Sequence, residues 1–295
     1  MAGLKLFPIA GMNNVSADDA LQRGGDSPKL FVRDALNVDI SDTGRIALRK
    51  GAVQVSASKF KNIWQSPLHK DVFATLEGKL VKINTSNWSY EILTNIEDEL
   101  VRFEIVNNQI FLFFSSKIFT FNGQTIQNLS IDTPASPLVS LIDGGNLRAG
   151  SYNIAISWLR GQLESGLSQF RTIEILKNNK SGSYDEGFSS IQLNFPYCLD
   201  ASVTAVRVYI TERNGTELLH YADFPIQTLS TIVSNLDQLG MKARFDGLSS
   251  MPSGKFMKYW QGRLLTADKN ILRFSEPLAY HLHDERFGFV MMPQK

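Results

Sequence analysis

The chain has 295 residues, of which 43% are hydrophobic and 20% are charged, a composition typical of folded globular proteins. Its formal net charge of +1 produces no overall field that would attract nucleic acid or an anionic membrane. No apolar run approaches the ~20 residues of a membrane span, and the N-terminus lacks a secretory apolar segment, so we expect a protein made in a cytosol. Cys198 is the single cysteine; this excludes an internal disulfide, and its apolar neighbours predict a buried thiol.

The N-terminal region, residues 1–54, is predicted to contain one tight hairpin. Two extended segments, 36–40 and 45–48, flank Ser41-Asp-Thr-Gly44. Gly44 can adopt a positive φ, and Asp42 can accept hydrogen bonds from nearby backbone N–H groups. None of these residues is chemically reactive, so the region is expected to act through its shape.

Residues 55–131 show the two-residue period of half-buried strands. The turn sequences Glu77-Gly78 and Asn107-Asn108 separate neighbouring strands. Two comparable units of about 40 residues follow each other, which is the spacing of β-propeller blades; a meandering sandwich is the alternative. The predicted strands are 62–65, 71–76, 79–83, 90–93, 101–106, 109–114 and 117–121.

A proline-containing linker, 132–137, precedes a segment of different character. Residues 150–158 alternate cleanly, with the aromatic and isoleucine side chains on one face. Some seven short strands in roughly 110 residues fit an immunoglobulin-like sandwich, which we predict as an insertion over residues 132–247. In such a sandwich, Trp158 and Tyr209 would be core residues and not ligand platforms.

Residues 248–295 return to the earlier pattern, with strands predicted at 255–260, 263–267 and 271–275. We interpret them as a blade that belongs with residues 55–131. The predicted fold class is therefore mainly β: propeller-like antiparallel sheets with an inserted sandwich. The sheets supply about three blades, fewer than the four or more that close a ring, so either the ring is completed otherwise or it stays incomplete.

Two motifs carry a resemblance to a known family. One is Gly11-Met-Asn-Asn14 followed by the hairpin sequence of residues 33–51, and the other lies within residues 260–277. Together they resemble the nozzle, tail-accessory or stabilisation proteins at the tail end of double-stranded DNA bacteriophages. With about three blades, the ring is completed otherwise, or the sheets stay open, or the chain is a shortened relative of this family. The pattern within residues 150–216 is similar to fibronectin type III modules inserted in phage tail proteins. The residues that match the first motif are Gly11, Asn13, Asn14, Arg33, Asp34, Ala35, Asn37, Val38, Asp39, Gly44, Arg45, Arg49 and Gly51.

The resemblance implies a structural protein of the virion tail and not an enzyme, with no catalytic residue, cofactor or metal. It implies a ring, a hexamer by family analogy, assembled in the host bacterial cytoplasm around the channel through which genomic DNA passes. Residues 1–54 would dock onto neighbouring tail or portal-adaptor proteins. The residues expected at the assembly interface are Asn13, Asn14, Arg33, Asp34, Asn37, Asp39, Arg45 and Arg49.

Particular residues and regions indicate three alternative functions. His281 and His283 are the best metal-ligand candidates, because alternate residues of a strand share a face and imidazole suits zinc, but no third ligand is evident. A carbohydrate-binding or carbohydrate-active propeller would use Trp64, Trp88 or Trp260 to stack on a sugar. A third alternative is a receptor-binding tail tip in which the sandwich contacts the host surface.

Overall fold

The computed structural model describes residues 8–23, 29–96, 101–114, 117–178 and 181–293. It confirms the mainly β class: the described residues form strands β1 to β27 and one short 3₁₀ helix, and none of them lies in an α-helix. The chain divides into two compact units, Met1–Ala57 and Ser58–Lys295. Among the described residues there is no apolar helix of membrane-spanning length.

The N-terminal unit contains short elements only: β1 (Ile9–Met12), the 3₁₀ helix (Asp18–Ala20), β2 (Gln22–Arg23), β3 (Lys29–Val32), β4 (Val38–Ile40) and β5 (Ile46–Leu48). Strands β1, β3 and β2 form one sheet, and β4 pairs with β5 as an antiparallel hairpin. The predicted hairpin is confirmed, and Gly44 has the positive φ of 78° that its turn requires. The side-chain acceptor of the turn is Ser41, whose Oγ accepts a bond of 3.1 Å from the Arg45 N–H, and not Asp42 as predicted.

The second unit begins with eight strands: β6 (Lys61–Gln65), β7 (Val72–Leu76), β8 (Lys79–Ile83), β9 (Tyr90–Asn95), β10 (Arg102–Val106), β11 (Gln109–Phe114), β12 (Lys117–Phe121) and β13 (Ile126–Asn128). Strands β6–β9 form a four-stranded antiparallel meander, the first sheet, and β10–β13 form another, the second sheet. The predicted turns Glu77-Gly78 and Asn107-Asn108 have positive φ at both residues. This is type I′ geometry, whose twist matches that of paired strands.

The first and second sheets pack face to face. Trp64 of the first sheet stacks in parallel on Phe103 of the second, with ring centroids 4.5 Å apart. Strand β11 is buried on both faces, which explains its uninterrupted apolar run over residues 110–114. The buried residues between the two sheets are Phe73, Leu80, Ile96, Val101, Ile110, Leu112, Phe114 and Phe121.

A two-sheet region follows, made of β14 (Leu138–Leu147), β15 (Gly150–Arg160), β16 (Leu163–Glu164), β17 (Arg171–Ile175), β18 (Ser189–Asn194), β19 (Ala205–Ile210), β20 (Leu219–Pro225) and β21 (Ser230–Val233). One sheet has the order β14-β18-β21; the other has the order β16-β15-β19-β20, with β17 also paired to β15. Both contribute to one buried cluster. Trp158 and Tyr209 are buried, as predicted. The Cys198 thiol is only half-buried, so the prediction of a buried thiol was wrong.

The remaining strands are β22 (Leu248–Ser250), β23 (Phe256–Trp260), β24 (Arg263–Asp268), β25 (Ile271–Phe274), β26 (Leu282–Asp284) and β27 (Phe289–Met291). Strand β22 pairs with β26, and β23-β24-β25-β27 form a third four-stranded antiparallel sheet. The third sheet packs on the free face of the second, so that the second sheet is covered on both sides. The buried residues of this cluster are Val106, Phe111, Phe113, Ile118, Leu129, Met251, Met257 and Leu264.

Candidate assembly surfaces

The hairpin of the N-terminal unit has one aliphatic face. Val38 lies opposite Leu48, and Ile40 lies opposite Ile46; because these residues alternate along their strands, all four side chains share one face. Ile46 is 47% exposed and Leu48 is 83% exposed. The hairpin therefore presents aliphatic groups to solvent where an isolated soluble hairpin would carry polar ones.

The N-terminal unit has no core of its own among its described residues. Not one side chain described between residues 8 and 57 is buried, whereas the second unit contains every buried cluster that the structure describes. An isolated hairpin is marginally stable at best, and sheets need a packed apolar face for independent stability. Leu36 and Val15 add to the exposed apolar surface of this unit.

Two of the predicted interface residues shape the local backbone. The Asn13 side-chain oxygen accepts bonds from the N–H groups of Val15 and Ser16 over 3.2 and 3.1 Å. Asn37 has a positive φ of 55°, a conformation that asparagine tolerates better than most residues, and its carbonyl accepts a bond of 2.9 Å from the Arg49 N–H. The Asn13 side chain and the Asn37 backbone thus shape the turns that flank the hairpin.

The charged residues among the predicted set divide into paired and unpaired groups. Arg33 pairs with Asp18 and donates to the Ser16 carbonyl over 2.8 Å, and Arg49 Nε lies 3.1 Å from Asp39 Oδ1. These ion pairs are exposed and contribute little to stability. Among the described residues, the side chains of Asp34 and Arg45 have no hydrogen-bond or ion-pair partner, and neither do the side-chain amides of Asn14 and Asn37.

The outward face of the third sheet is a second uncovered apolar surface. The pairing of its strands places one set of side chains on the face opposite to the second sheet. Trp260 is 58% exposed, Val290 is 48% exposed, and no member of the set is buried. The residues of this face are Phe256, Lys258, Trp260, Arg263, Leu265, Ala267, Leu272, Phe274 and Val290.

Cations border the outward face of the third sheet. The Arg102 guanidinium lies 4.6 Å from the centroid of the Phe256 ring, and that of Arg263 lies 5.2 Å from the centroid of Phe274. Lys258 is exposed and pairs with Glu104 over 2.7 Å. An apolar face with such a rim favours an apolar partner with acidic edges.

A buried carboxylate, which sequence reasoning did not identify, organises the outer face of the two-sheet region. Ser157 Oγ and Tyr209 Oη both donate to Glu164 Oε1 over 2.6 Å. Arg207 Nη1 donates to Glu164 Oε2 over 2.8 Å and also forms a bidentate pair with Asp223, with both bonds at 2.7 Å. The only sequence signal was the alternation of polar residues on β15 and β19.

Burial and pairing shift the pKa values within this network. The bonds from Arg207 hold the pKa of Asp223 below its usual value. Burial, together with the bond to Glu164, raises the pKa of Tyr209. Each donor is matched to an acceptor, so the network is a packing element that holds β16, β19 and β20 together.

The two histidines that were candidate metal ligands are structural. Both are buried. His281 Nε2 donates to the Glu164 carbonyl over 2.9 Å, and His283 Nδ1 donates to the Phe274 carbonyl over 3.0 Å. The part of the chain that the structure describes contains no group of three His, Cys, Asp or Glu side chains placed to hold a metal ion. His281 therefore links the end of the chain to the two-sheet region.

A polar cavity of about 590 Å³ opens at one end of the two-sheet region. Arg213 is fixed there by bonds of 2.7 Å to the Ala149 carbonyl and 2.8 Å to Asp185 Oδ1. Arg148, Glu212 and Asp237 also line the cavity; within the described ranges, their side chains make no hydrogen bond or ion pair. Donors and acceptors thus converge on the same space.

The tryptophans proposed as sugar platforms occupy different environments. Trp64 is sandwiched against Phe103 between two sheets, and Trp88 packs against the outward face of the first sheet. Only Trp260 of these three is largely exposed, and it lies on the third sheet and does not line the polar cavity where carboxylates converge. These positions favour packing roles for Trp64 and Trp88.

No protein-family model matches the chain, and no curated protein matches it at the threshold of the search.

Proposed function

We propose that this chain is a structural component of a bacteriophage tail that acts by assembling with its neighbours around the DNA channel. The observation that carries the proposal is the N-terminal unit, which has ordered strands but no buried side chain among its described residues. Such a unit obtains a stable core by packing its aliphatic hairpin face against another subunit. This is the behaviour expected of an assembly element.

The architecture of the second unit agrees with this role. We interpret the first, second and third sheets as propeller-like blades, because each is a four-stranded meander stacked on the next. We interpret the two-sheet region, inserted between the second and third sheets, as an immunoglobulin or fibronectin type III-like sandwich. Three blades form an open stack, and its uncovered end provides a further surface for a neighbour. A ring, which we propose to be a hexamer, would be built by interfaces of this kind.

Assembly is tested by measuring the mass of the purified chain by light scattering and by imaging it by electron microscopy. We expect closed rings, and we expect Leu48→Asp to reduce them to smaller species because a charge would replace the most exposed aliphatic group of the hairpin. Leu229→Asp is the matched control, since Leu229 is comparably exposed but lies in the two-sheet region. A wild-type chain that remains monomeric at ~100 µM, where contacts of micromolar affinity are populated, would contradict the proposal.

A receptor-binding role is a second candidate, favoured by the polar cavity. Its free carboxylates and guanidinium suit a neutral polyhydroxylated ligand, whose hydroxyls both donate and accept. Titration with glucose, galactose, N-acetylglucosamine and maltose, observed by NMR, tests it. We expect binding that Glu212→Gln weakens and that Glu174→Gln, an exposed control, leaves unchanged; no binding by any of these sugars counts against this role.

A further inference from the structure

We propose that the hairpin of the N-terminal unit docks onto the outward face of the third sheet of a second copy of the chain. This inference rests on the proposed function and names the neighbour that assembly requires. It assigns a donor surface, the aliphatic face of β4 and β5, and an acceptor surface, the apolar face of β23, β24, β25 and β27. Each copy carries both surfaces, so each copy can give one contact and receive one.

The acceptor surface has the composition of an interface and not of a solvated sheet face. An antiparallel sheet with one solvated face alternates apolar and polar residues, yet the outward face of the third sheet is apolar in seven of its nine positions. Its inward face is already buried against the second sheet through Met257 and Leu264. Both faces of the third sheet are thus apolar, which is the pattern of a sheet that is covered on both sides.

The donor surface matches the acceptor in chemistry. The hairpin offers four aliphatic side chains on one face, and its turn carries Asp42, which is exposed and forms no hydrogen bond or ion pair with any other described residue. Asp34, just before β4, is exposed and unpaired in the same sense. These carboxylates complement Arg102 and Arg263, whose guanidinium groups lie against Phe256 and Phe274 of the acceptor and form no ion pair with a described residue.

The two copies are related head to tail, so that the donor surface of one copy contacts the acceptor surface of the next. If two acceptor surfaces met each other, their cations would be brought together, which is unfavourable. A contact between different surfaces of identical chains is heterologous, and it closes into a ring when the rotation per subunit permits. Every copy in such a ring has two of these contacts, which raises the total buried area beyond that of one small hairpin.

Complementation between two interface variants tests the pairing. Leu48→Asp damages the donor and leaves the acceptor intact, whereas Trp260→Asp damages the acceptor and leaves the donor intact. We expect each purified variant to be monomeric and an equimolar mixture to form heterodimers, because one intact donor and one intact acceptor remain. Mass is read by analytical ultracentrifugation, and thermal melts establish that each variant is folded. Val290→Asp replaces Trp260→Asp if the latter does not fold.

The controls separate this inference from the proposed function. Phe170→Asp is matched to Trp260→Asp, because Phe170 is also 58% exposed but lies in the two-sheet region, and it should assemble like the wild type. Rings that persist in folded Trp260→Asp and Val290→Asp would overturn the docking surface and leave the proposed function standing. Two monomeric variants that fail to combine would overturn the head-to-tail pairing. A monomeric wild type would overturn the proposed function and this inference together.

Discussion

The outward faces of the first and third sheets show how the same strand pattern leads to opposite environments. Both sheets are four-stranded meanders with apolar residues on both faces. On the first sheet, five outward residues of the central strands β7 and β8 are buried, with Phe60 and Trp88 from flanking segments packed against them, and the edge strand β9 leaves apolar residues of this face exposed. On the third sheet, none of the outward residues is buried. Flanking segments, and not the strands themselves, therefore decide whether the side chains of such a face are buried or exposed.

The largest expected change in stability comes from a substitution on the covered face of the first sheet, compared with one on the uncovered face of the third sheet. Ile83 on the covered face is 4% exposed, so Ile83→Ala should lower the free energy of unfolding by about 2–5 kcal/mol through lost burial and a residual cavity. Val290→Ala on the uncovered face should change it by less than about 0.5 kcal/mol in the monomer. Urea unfolding measures both. Equal losses would show that the two faces are equally buried in solution.

The next largest change in stability is expected on the outer face of the two-sheet region, which is covered by polar contacts. The outer face of the two-sheet region is sealed around Glu164, which accepts a bond from the buried Tyr209 hydroxyl. Tyr209→Phe removes a hydrogen bond to a charged group and should cost about 1.5–3 kcal/mol of unfolding free energy. Tyr197→Phe is the control, because Tyr197 is exposed and should be neutral. An unchanged urea midpoint for Tyr209→Phe would mean that the network contributes nothing to stability.

The pH dependence of stability tests the junction between the two-sheet region and the end of the chain. Burial holds the pKa of His281 below its ordinary value of 6.5. In the unfolded chain the imidazole binds a proton more readily, so stability should fall as the pH drops below about 6.5. Unfolding at pH 7 and pH 5 measures this loss. His281→Gln should reduce the loss and His69→Gln, at an exposed site, should not; an identical pH dependence in His281→Gln contradicts the assignment.

The smallest expected effect on the monomer concerns the polar face of the hairpin. Arg49→Ala removes an exposed ion pair with Asp39, and Arg45→Ala removes a side chain without a partner in the described structure. Both should change the free energy of unfolding by less than about 0.5 kcal/mol. We expect both to weaken assembly, measured by light scattering, because arginine forms directional bonds across interfaces. If a chain that carries both Arg45→Ala and Arg49→Ala still formed rings of wild-type size, the polar face of the hairpin would take no part in assembly.

Particular elements show where prediction from sequence succeeded. The turns Glu77-Gly78 and Asn107-Asn108 were predicted because they separate segments with the two-residue period of strands, and Gly and Asn are common turn residues. The alternation in residues 150–158 predicted β15 and the burial of Trp158. Strand β14 was missed, since Asp143-Gly-Gly interrupts its apolar pattern and its pairing with β18 contains an irregularity between Asp143 and Leu147.

The candidate surfaces were only partly predictable. The motif in residues 33–51 identified the hairpin. The polar residues that it predicted at the assembly interface include several that form hydrogen bonds or ion pairs within the N-terminal unit itself. The aliphatic face of the same hairpin carries the assembly proposal, and its exposure follows from the packing within the N-terminal unit, which residue type alone does not reveal. Likewise, Glu164 could not be recognised as a network centre, because two of its three partners, Arg207 and Tyr209, lie on a strand 43 and 45 residues away in sequence.

The sequence by itself determined the mainly β class, the hairpin turns and the positions of most strands, because backbone φ preferences and two-residue periodicity are local properties. Only the tertiary structure decided which apolar residues become interior. Burial depends on what packs over a face, and the covering side chains lie outside the strands whose alternation can be read from the sequence. That is why the exposed apolar side chains on the outward face of the third sheet and on the hairpin of the N-terminal unit were identified only in the structure.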